Sequence, residues 1–281
     1  MRLATWNVNS IRARVDRIVD FAVREHIDVL AMQEIKCKVD QFPFDAFEDA
    51  GFHVEAHGFS QWNGVAIASR EQPTNVRHAF PGMPGFAKDH SGPDAPQEAR
   101  ALGATIGGVE VWSLYVPNGR ALEDPHYFYK LEWLEALRGY TAETLAQNPD
   151  LALALVGDFN IAPTDADNGD PTVVAGFSTH VSGPEREAFA ALEAAGLQDV
   201  VRPLVPAGFT YWDYKRLRFP RNEGMRIDFI LGSHALADAV AGASIHRDER
   251  KGEAPSDHVP VVVDLDFSGP EDEDDDRPMI F

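Results

Sequence analysis

The stretch Leu151-Ala152-Leu153-Ala154-Leu155-Val156-Gly157-Asp158-Phe159-Asn160 carries an unbroken apolar run into an abrupt polar ending. Such a run suits a strand buried on both faces. Its polar end then marks the rim of a layered α/β protein, where ligands bind. Alternation puts Asp158 and Asn160 on one side and Phe159 on the other. One polar group can orient a water while the other donates to a phosphate oxygen. A turn that merely uses Asp and Asn is the alternative.

Outward from this stretch the arrangement recurs. Leu3–Val8 reads as a strand closing in Trp6-Asn7-Val8-Asn9, Asp28–Met32 as a strand ending at Gln33-Glu34, and Glu110–Tyr115 as a strand running into Val116-Pro117-Asn118. Arg226–Leu231 carries Asp228, and Val259–Phe267 follows Ser256-Asp257-His258. Shorter strands are expected at His53–His57, Gly64–Ser69, Phe209–Trp212 and Ala243–His246, and Gly107-Gly108 signals a hairpin after Ala101–Ile106. Ser10 is a candidate N-cap for a helix striped by Ile11, Val15, Ile18 and Ala22. Asp124-Pro125 opens a helix to about Gln147 that buries Phe128, Leu131, Leu134 and Leu137. A third helix runs from Glu185 to Ala195, and Pro81–Pro96 reads as a surface loop. Strands in hairpins as well as beside helices argue for mixed sheets covered by helices. The similar strand ends at Asn7 and Asp158 hint at two β-rich halves.

With 281 residues, 44% of them hydrophobic, the chain can bury a sizeable core. No linker divides residues 1–267, which read as one domain. No apolar run approaches the roughly 18 residues of a membrane span, and no secretory signal follows Arg2, so a cytoplasmic location is expected. The lone Cys37 excludes an internal disulfide and reads as an inert thiol in a reducing compartment. A net charge of −20 argues against non-specific coating of nucleic acid. Part of that charge is local: residues 268–281 hold six acidic residues against Arg277 and read as a disordered tail. Global charge does not decide the partner, because the local field and a bound cation control a cleft.

Glu34 lies just past a buried strand, where a carboxylate is costly unless it is paired or bound to metal. Mg²⁺ suits it, because this ion takes one or two carboxylates and keeps several waters; an ion pair with Lys36 is equally open. His258, beside Asp257, can act as a general acid or base or stabilise a phosphorane-like charge, with Asp228 fixing its tautomer. The other nine histidines, His180 among them, read as surface or packing residues. Asp165–Asp170 fails as a calcium loop because its glycine is one place early and no glutamate closes it. There is no P-loop and no zinc spacing.

Ala4-Thr5-Trp6-Asn7-Val8-Asn9-Ser10-Ile11-Arg12, Gln33-Glu34-Ile35-Lys36, Asn63-Gly64-Val65-Ala66-Ile67, Tyr115-Val116-Pro117-Asn118-Gly119, Gly157-Asp158-Phe159-Asn160-Ile161-Ala162-Pro163, Arg226-Ile227-Asp228 and Ser256-Asp257-His258 stand in one order along the chain. Together they resemble the exonuclease III family of apurinic/apyrimidinic (AP) endonucleases, within the endonuclease/exonuclease/phosphatase fold. The resemblance implies a four-layer α/β/β/α sandwich of two mixed sheets flanked by helices. It implies a monomeric enzyme using Mg²⁺, with Mn²⁺ as a substitute. Such an enzyme hydrolyses duplex DNA 5′ to abasic sites in base excision repair, and it has 3′-end processing and 3′–5′ exodeoxyribonuclease activity on blocked or free 3′ ends.

Carried over residue by residue, Glu34 looks like the main metal ligand, with Asn7, Asp257, Asp158 and Asn160 around it. Asp158 would activate the water, Asn160 hold the phosphate, Tyr115 assist at the phosphate or leaving oxygen, and His258, oriented by Asp228, stabilise charge. Tyr211, Met225 and Ile227 would form a pocket for the flipped abasic sugar, with Trp212 in the core. Between them, Lys215–Glu223 holds four basic residues and one acid. Arg216, Arg218 and Arg221, with Arg226 adding to them, would meet the DNA backbone, as would Lys36, Asn118 and Arg120. Asn9 stands where some relatives carry aspartate, and Met225 where some carry an aromatic. Two other readings remain: a non-specific nuclease or other phosphodiesterase of this fold, and a non-catalytic DNA-binding protein, against which the retained Glu34, Asp158, Asn160, Asp228 and His258 speak.

Overall fold

A computed structural model describes residues 1–88 and 90–268. In chain order the strands begin with β1 (Arg2–Asn7), β2 (Val29–Gln33), β3 (His53–His57), β4 (Val65–Ser69), β5 (Thr74–Arg77), β6 (Gly85–Ala87) and β7 (His90–Gly92). They continue with β8 (Ala101–Ile106), β9 (Val109–Tyr115), β10 (Leu153–Asp158), β11 (Leu197–Asp199), β12 (Asp228–Ser233), β13 (Val240–Ile245) and β14 (Val261–Leu265). The helices are α1 (Val15–Arg24), α2 (Phe44–Asp49), α3 (Pro125–Gln147), α4 (Gly183–Ala194), α5 (Arg218–Arg221) and α6 (His234–Asp238).

One six-stranded sheet has the order β13-β14-β1-β2-β4-β3, and a second has the order β11-β12-β10-β9-β8-β5. Taken in these orders, both sheets pair in the same sequence of senses: antiparallel, antiparallel, parallel, antiparallel, antiparallel. The two β-rich halves therefore share one plan.

Alternation along the strands sorts the apolar residues into three cores. Leu3, Val29, Ala31, Val65 and Ile67 of the first sheet meet Leu102, Ala104, Val111, Ala154, Val156 and Ile230 of the second. Their neighbours Ala4, Trp6, Leu30 and Met32 face outward onto Ile18, Phe21 and Ala22 of α1. On the far side Trp112, Leu114, Leu155, Phe229 and Leu231 pack on Trp133, Leu137, Phe189 and Leu192 of α3 and α4. The result is the expected α/β/β/α sandwich. Phe229 is 1% exposed, so Phe229→Ala would cost about 3–5 kcal/mol.

Local expectations fail where a residue serves the rim. Ser10 caps nothing: its φ is +87 and its side chain makes no cap bond. Its N–H and that of Ile11 donate to the carbonyls of Glu34 (2.7 Å) and Ile35 (3.1 Å), so this segment braces the Glu34 loop and α1 starts later, at Val15. Phe128 is 55% exposed, while Tyr127 and Tyr129 are buried in its place. The segment Pro81–Pro96 contains the β6–β7 pair, and Phe86 stacks on Tyr129 with centroids 5.0 Å apart. Phe209–Trp212 is not a ladder strand; Tyr211 makes only isolated bridges, to Met225 and His258. β10 reaches Asp158 itself. α4 begins two residues before Glu185, with Ser182 as N-cap and Glu185 completing the capping box. The acidic tail, beyond Ser268, lies outside the described residues.

Candidate active site

The parallel pairs β1–β2 and β9–β10 stop at one rim, in the registers Asn7↔Gln33 and Tyr115↔Asp158. Asn7 Nδ2 donates to Glu34 Oε1 and to Asp158 Oδ2, each at 2.9 Å, so one amide ties the two sheets together. Ser256 Oγ donates to the Asn7 carbonyl (2.7 Å) and Trp6 Nε1 to that of His258 (3.1 Å), which locks the segment before β14 to the end of β1. Glu34 and Asn160 both hold left-handed backbone, φ +52. Strain of this kind persists only where surrounding contacts over-determine it.

His258 Nδ1 donates to Asp228, at 2.8 Å from Oδ2 and 3.0 Å from Oδ1. The carboxylate fixes the proton on Nδ1 and turns Nε2 toward the rim, 3.8 Å from Asp158 Oδ2. Burial opposes the imidazolium, but Asp228 and Asp158 outweigh it and raise His258 to about 10. Burial pushes Asp158 up to about 7, with Asp228 and Glu34 adding to the shift against the pull of His258. Glu34 behaves oppositely: despite burial, Lys36 and the Asn7 amide hold it below the ordinary carboxylate range. Lys36 Nζ lies 2.6 Å from Glu34 Oε2 and donates to Asn9 Oδ1 at 2.6 Å, while Asn9 Nδ2 donates to Asp257 Oδ1 at 2.9 Å. Tyr115 is kept protonated, well above its ordinary value, by burial and the nearby Glu34. The Arg100 guanidinium, itself buried and paired with Glu98 at 2.6 Å, lies 4.8 Å from the Tyr115 ring.

Ligand atoms of Glu34, Asp158 and His258 lie within 4.8 Å of one another. Carboxylate oxygens beside the Asn7 amide form a hard donor set, which suits an oxygen-loving divalent cation. The crowding of negative charge that raises Asp158 is also what a cation would relieve.

Asn7, Glu34, Tyr115, Asp158, Asn160, Asp228 and His258 thus share the rim, with Lys36, Asn118 and Asp257 adjoining it. Asn160 Oδ1 accepts from Asn118 Nδ2 at 3.0 Å. Arg120, Arg216 and Arg221 are exposed. Arg218 is not free for a DNA phosphate: it is 5% exposed and bridges Asp170 (3.0 Å) and Glu223 (2.5 Å). Arg226 likewise spends its guanidinium on Asp167 (2.7 Å) and Asp199 (2.5 Å). Nearby carboxylates claim both cations to tie loops together. Met225 is buried against Ile227, Ala162 and Val181, with Tyr211 at the edge of that cluster and its ring 4.9 Å from that of His258. Trp212 is fully buried.

Sequence reasoning missed a layer beneath Asn160. Lys130 Nζ donates to the Asn160 carbonyl at 2.7 Å and pairs with Glu185. His180, read as a packing or surface residue, places Nδ1 2.5 Å from the same carbonyl. The capping box Ser182-x-x-Glu185 was a signal for Glu185; Lys130, on a long helix, carried none.

Residues 4–258 match the endonuclease/exonuclease/phosphatase family. Exodeoxyribonuclease III of Haemophilus influenzae is 31% identical, covering 94% of this chain and 100% of its own. An exodeoxyribonuclease of Bacillus subtilis is 32% identical, covering 94% and 98%. Among solved structures, the 3′ phosphatase NExo from Neisseria bound to a product DNA hairpin superposes with TM-score 0.86 and 37% identity, covering 95% of this chain and 100% of that one. An AP endonuclease from Archaeoglobus fulgidus gives TM-score 0.84 and 32% identity, covering 95% and 99%.

Proposed function

The chain belongs to the endonuclease/exonuclease/phosphatase family as a hydrolytic DNA-repair nuclease of the exodeoxyribonuclease III type, and on that premise we propose that it is a Mg²⁺-dependent monomer that cuts duplex DNA 5′ to abasic sites and clears blocked 3′ ends. The observation that carries this reading is the Asn7 amide holding Glu34 and Asp158, from opposite sheets, beside a histidine locked by Asp228. Glu34 and Asp158, with Asn7 and Asp257 near them, would hold the cation, which supplies Lewis-acid stabilisation of the phosphate charge and favours the ionised carboxylates.

The remaining roles belong to the chain's own groups. Asp158 accepts a proton from, and orients, the water attacking phosphorus. The His258 imidazolium donates from Nε2 to a nonbridging oxygen, its charge maintained by Asp228. The Asn160 and Asn118 amides grip the phosphate, and the neutral Tyr115 hydroxyl donates toward the leaving oxygen. Tyr211, beside the buried Met225 and Ile227, walls the space for an extruded abasic sugar. The exposed Arg120, Arg216 and Arg221 meet backbone phosphates. No helix among the described residues is long and apolar enough to cross a membrane, which fits work on DNA inside the cell.

The test uses duplexes bearing one abasic analogue or one 3′-phosphate, incubated with Mg²⁺ or with EDTA. Mg²⁺-dependent incision 5′ to the analogue is expected. Release of the 3′-phosphate without incision would restrict the enzyme to 3′ ends, and equal cutting of intact strands would make it a non-specific nuclease.

A further inference from the structure

Lys130 and Glu185 have no exposed side-chain surface. Taking two charges out of water is costly, and a buried pair is weak support for stability. Its partners suggest another use. Lys130 Nζ donates to the carbonyls of Asn160 at 2.7 Å and Asn118 at 3.4 Å, and its remaining N–H meets Glu185 Oε1. Glu185 in turn accepts the His180 N–H at 2.9 Å and the Ser182 hydroxyl at 2.5 Å, while the Thr179 hydroxyl lies 3.0 Å from the Asn118 carbonyl. Each lysine proton is thereby assigned, two of them to the main-chain carbonyls of Asn118 and Asn160; the Asn160 side chain itself accepts from Asn118 Nδ2 at 3.0 Å and donates to the Val116 carbonyl at 3.1 Å. Asn160 is one of the left-handed residues, φ +52, and a carbonyl pulled inward by a fixed cation keeps it there.

We propose that Lys130, with Glu185 as its buried counter-ion, is a positioning residue for phosphodiester hydrolysis. It holds the backbone of Asn160, and through the Asn160 side chain, which accepts from Asn118 Nδ2 at 3.0 Å, it presents the two amides together to one phosphate. The inference rests on the reading of those amides as phosphate donors. Lys130 never touches substrate; its effect passes through Asn160.

Single-turnover cleavage, DNA affinity and folded fraction are measured for the wild type, Lys130→Met, Asn160→Ala and the Lys130→Met/Asn160→Ala double variant. Misplacing a donor by a fraction of an ångström should slow cleavage by Lys130→Met roughly 10- to 100-fold, with affinity for DNA changed less than about threefold. The double variant should be no slower than Asn160→Ala alone, a non-additivity that a purely structural lysine would not produce. Should Lys130→Met fail to fold, Lys130→Met/Glu185→Gln removes both charges, and the same slowing is expected with the melting temperature recovered. Rate losses that add in the Asn160→Ala background, a loss matched by the unfolded fraction, or full activity in Lys130→Met or in Lys130→Met/Glu185→Gln would overturn the proposal. A folded wild type that cleaves no DNA overturns it together with the reading of function, whereas an active wild type confines any failure to Lys130.

Discussion

In the first sheet the central parallel pair ends in Asn7 and Gln33; in the second the corresponding pair ends in Tyr115 and Asp158. The backbone plan is shared, and the side chains are not. Gln33 is consumed inside the sandwich, donating to Ser113 Oγ at 3.0 Å, while Tyr115 turns to the rim. Asn7 offers donors where Asp158 offers a carboxylate. A second carboxylate at Asn7 would add to the charge that already lifts Asp158 to about 7; the amide relieves it by binding both acids. The halves also differ in their supports. Glu34 leans on Lys36, a partly exposed cation, whereas Asn160 sits on a cation fully out of water.

The largest effect should come from the second half. Asp158→Asn removes the proposed proton acceptor and should lower the single-turnover rate about 10³-fold while DNA affinity by fluorescence anisotropy stays within a few-fold. Equal loss of binding would make Asp158 a structural residue. Asn7→Asp makes the two halves alike: it forfeits two charge-assisted bonds worth about 1.5–3 kcal/mol each and crowds three acids. A fall in rate of about 10²-fold at saturating Mg²⁺ is expected, with less Mg²⁺ needed for half-maximal activity because a third acid deepens the field that the cation relieves; an unaffected rate would show that the sheets need no amide bridge.

Acid should loosen the second half. The Gly119 N–H donates to His126 Nδ1 at 3.3 Å, which requires a neutral ring, and burial, helped by Arg100 and Arg120, lowers His126 to about 4. The unfolded histidine, near 6.5, takes its proton first. The stabilising contribution of the neutral ring is therefore whole above pH 6.5 and is lost as pH falls toward 4. Thermal melts of His126→Gln should show a flatter pH dependence than the wild type across that window. The smallest effect belongs to the first half: Lys36→Met breaks a partly exposed pair of the kind worth about 0–1 kcal/mol. It should weaken DNA binding less than about fivefold, and less still in high salt.

What the sequence made legible follows the range of the forces involved. Strand ends such as Gly157-Asp158-Phe159-Asn160 announce themselves because hydrophobic periodicity stops within a few residues. Asp124 was readable as a cap because its partner, the His126 N–H at 2.8 Å, is local. Lys130 was not, because its partner lies 55 positions away and nothing beside it distinguishes a buried lysine from a solvated one. Arg218 and Arg226 misled for the same reason: a basic loop looks ready for phosphate until the fold supplies carboxylates. Ser10 had the chemistry of a cap, but its N–H was already given to the Glu34 carbonyl, as that of Ile11 was to Ile35.

β14 slots between β13 and β1, and the residues that precede it, Ser256 to His258, are clasped to the end of β1. Until they arrive, Asp228 has no imidazole to orient and the Asn7 carbonyl lacks its Ser256 clasp. A chain that has not yet seated this segment is therefore expected to be chemically silent. A chain truncated before Ser256 that still nicked DNA would contradict this dependence.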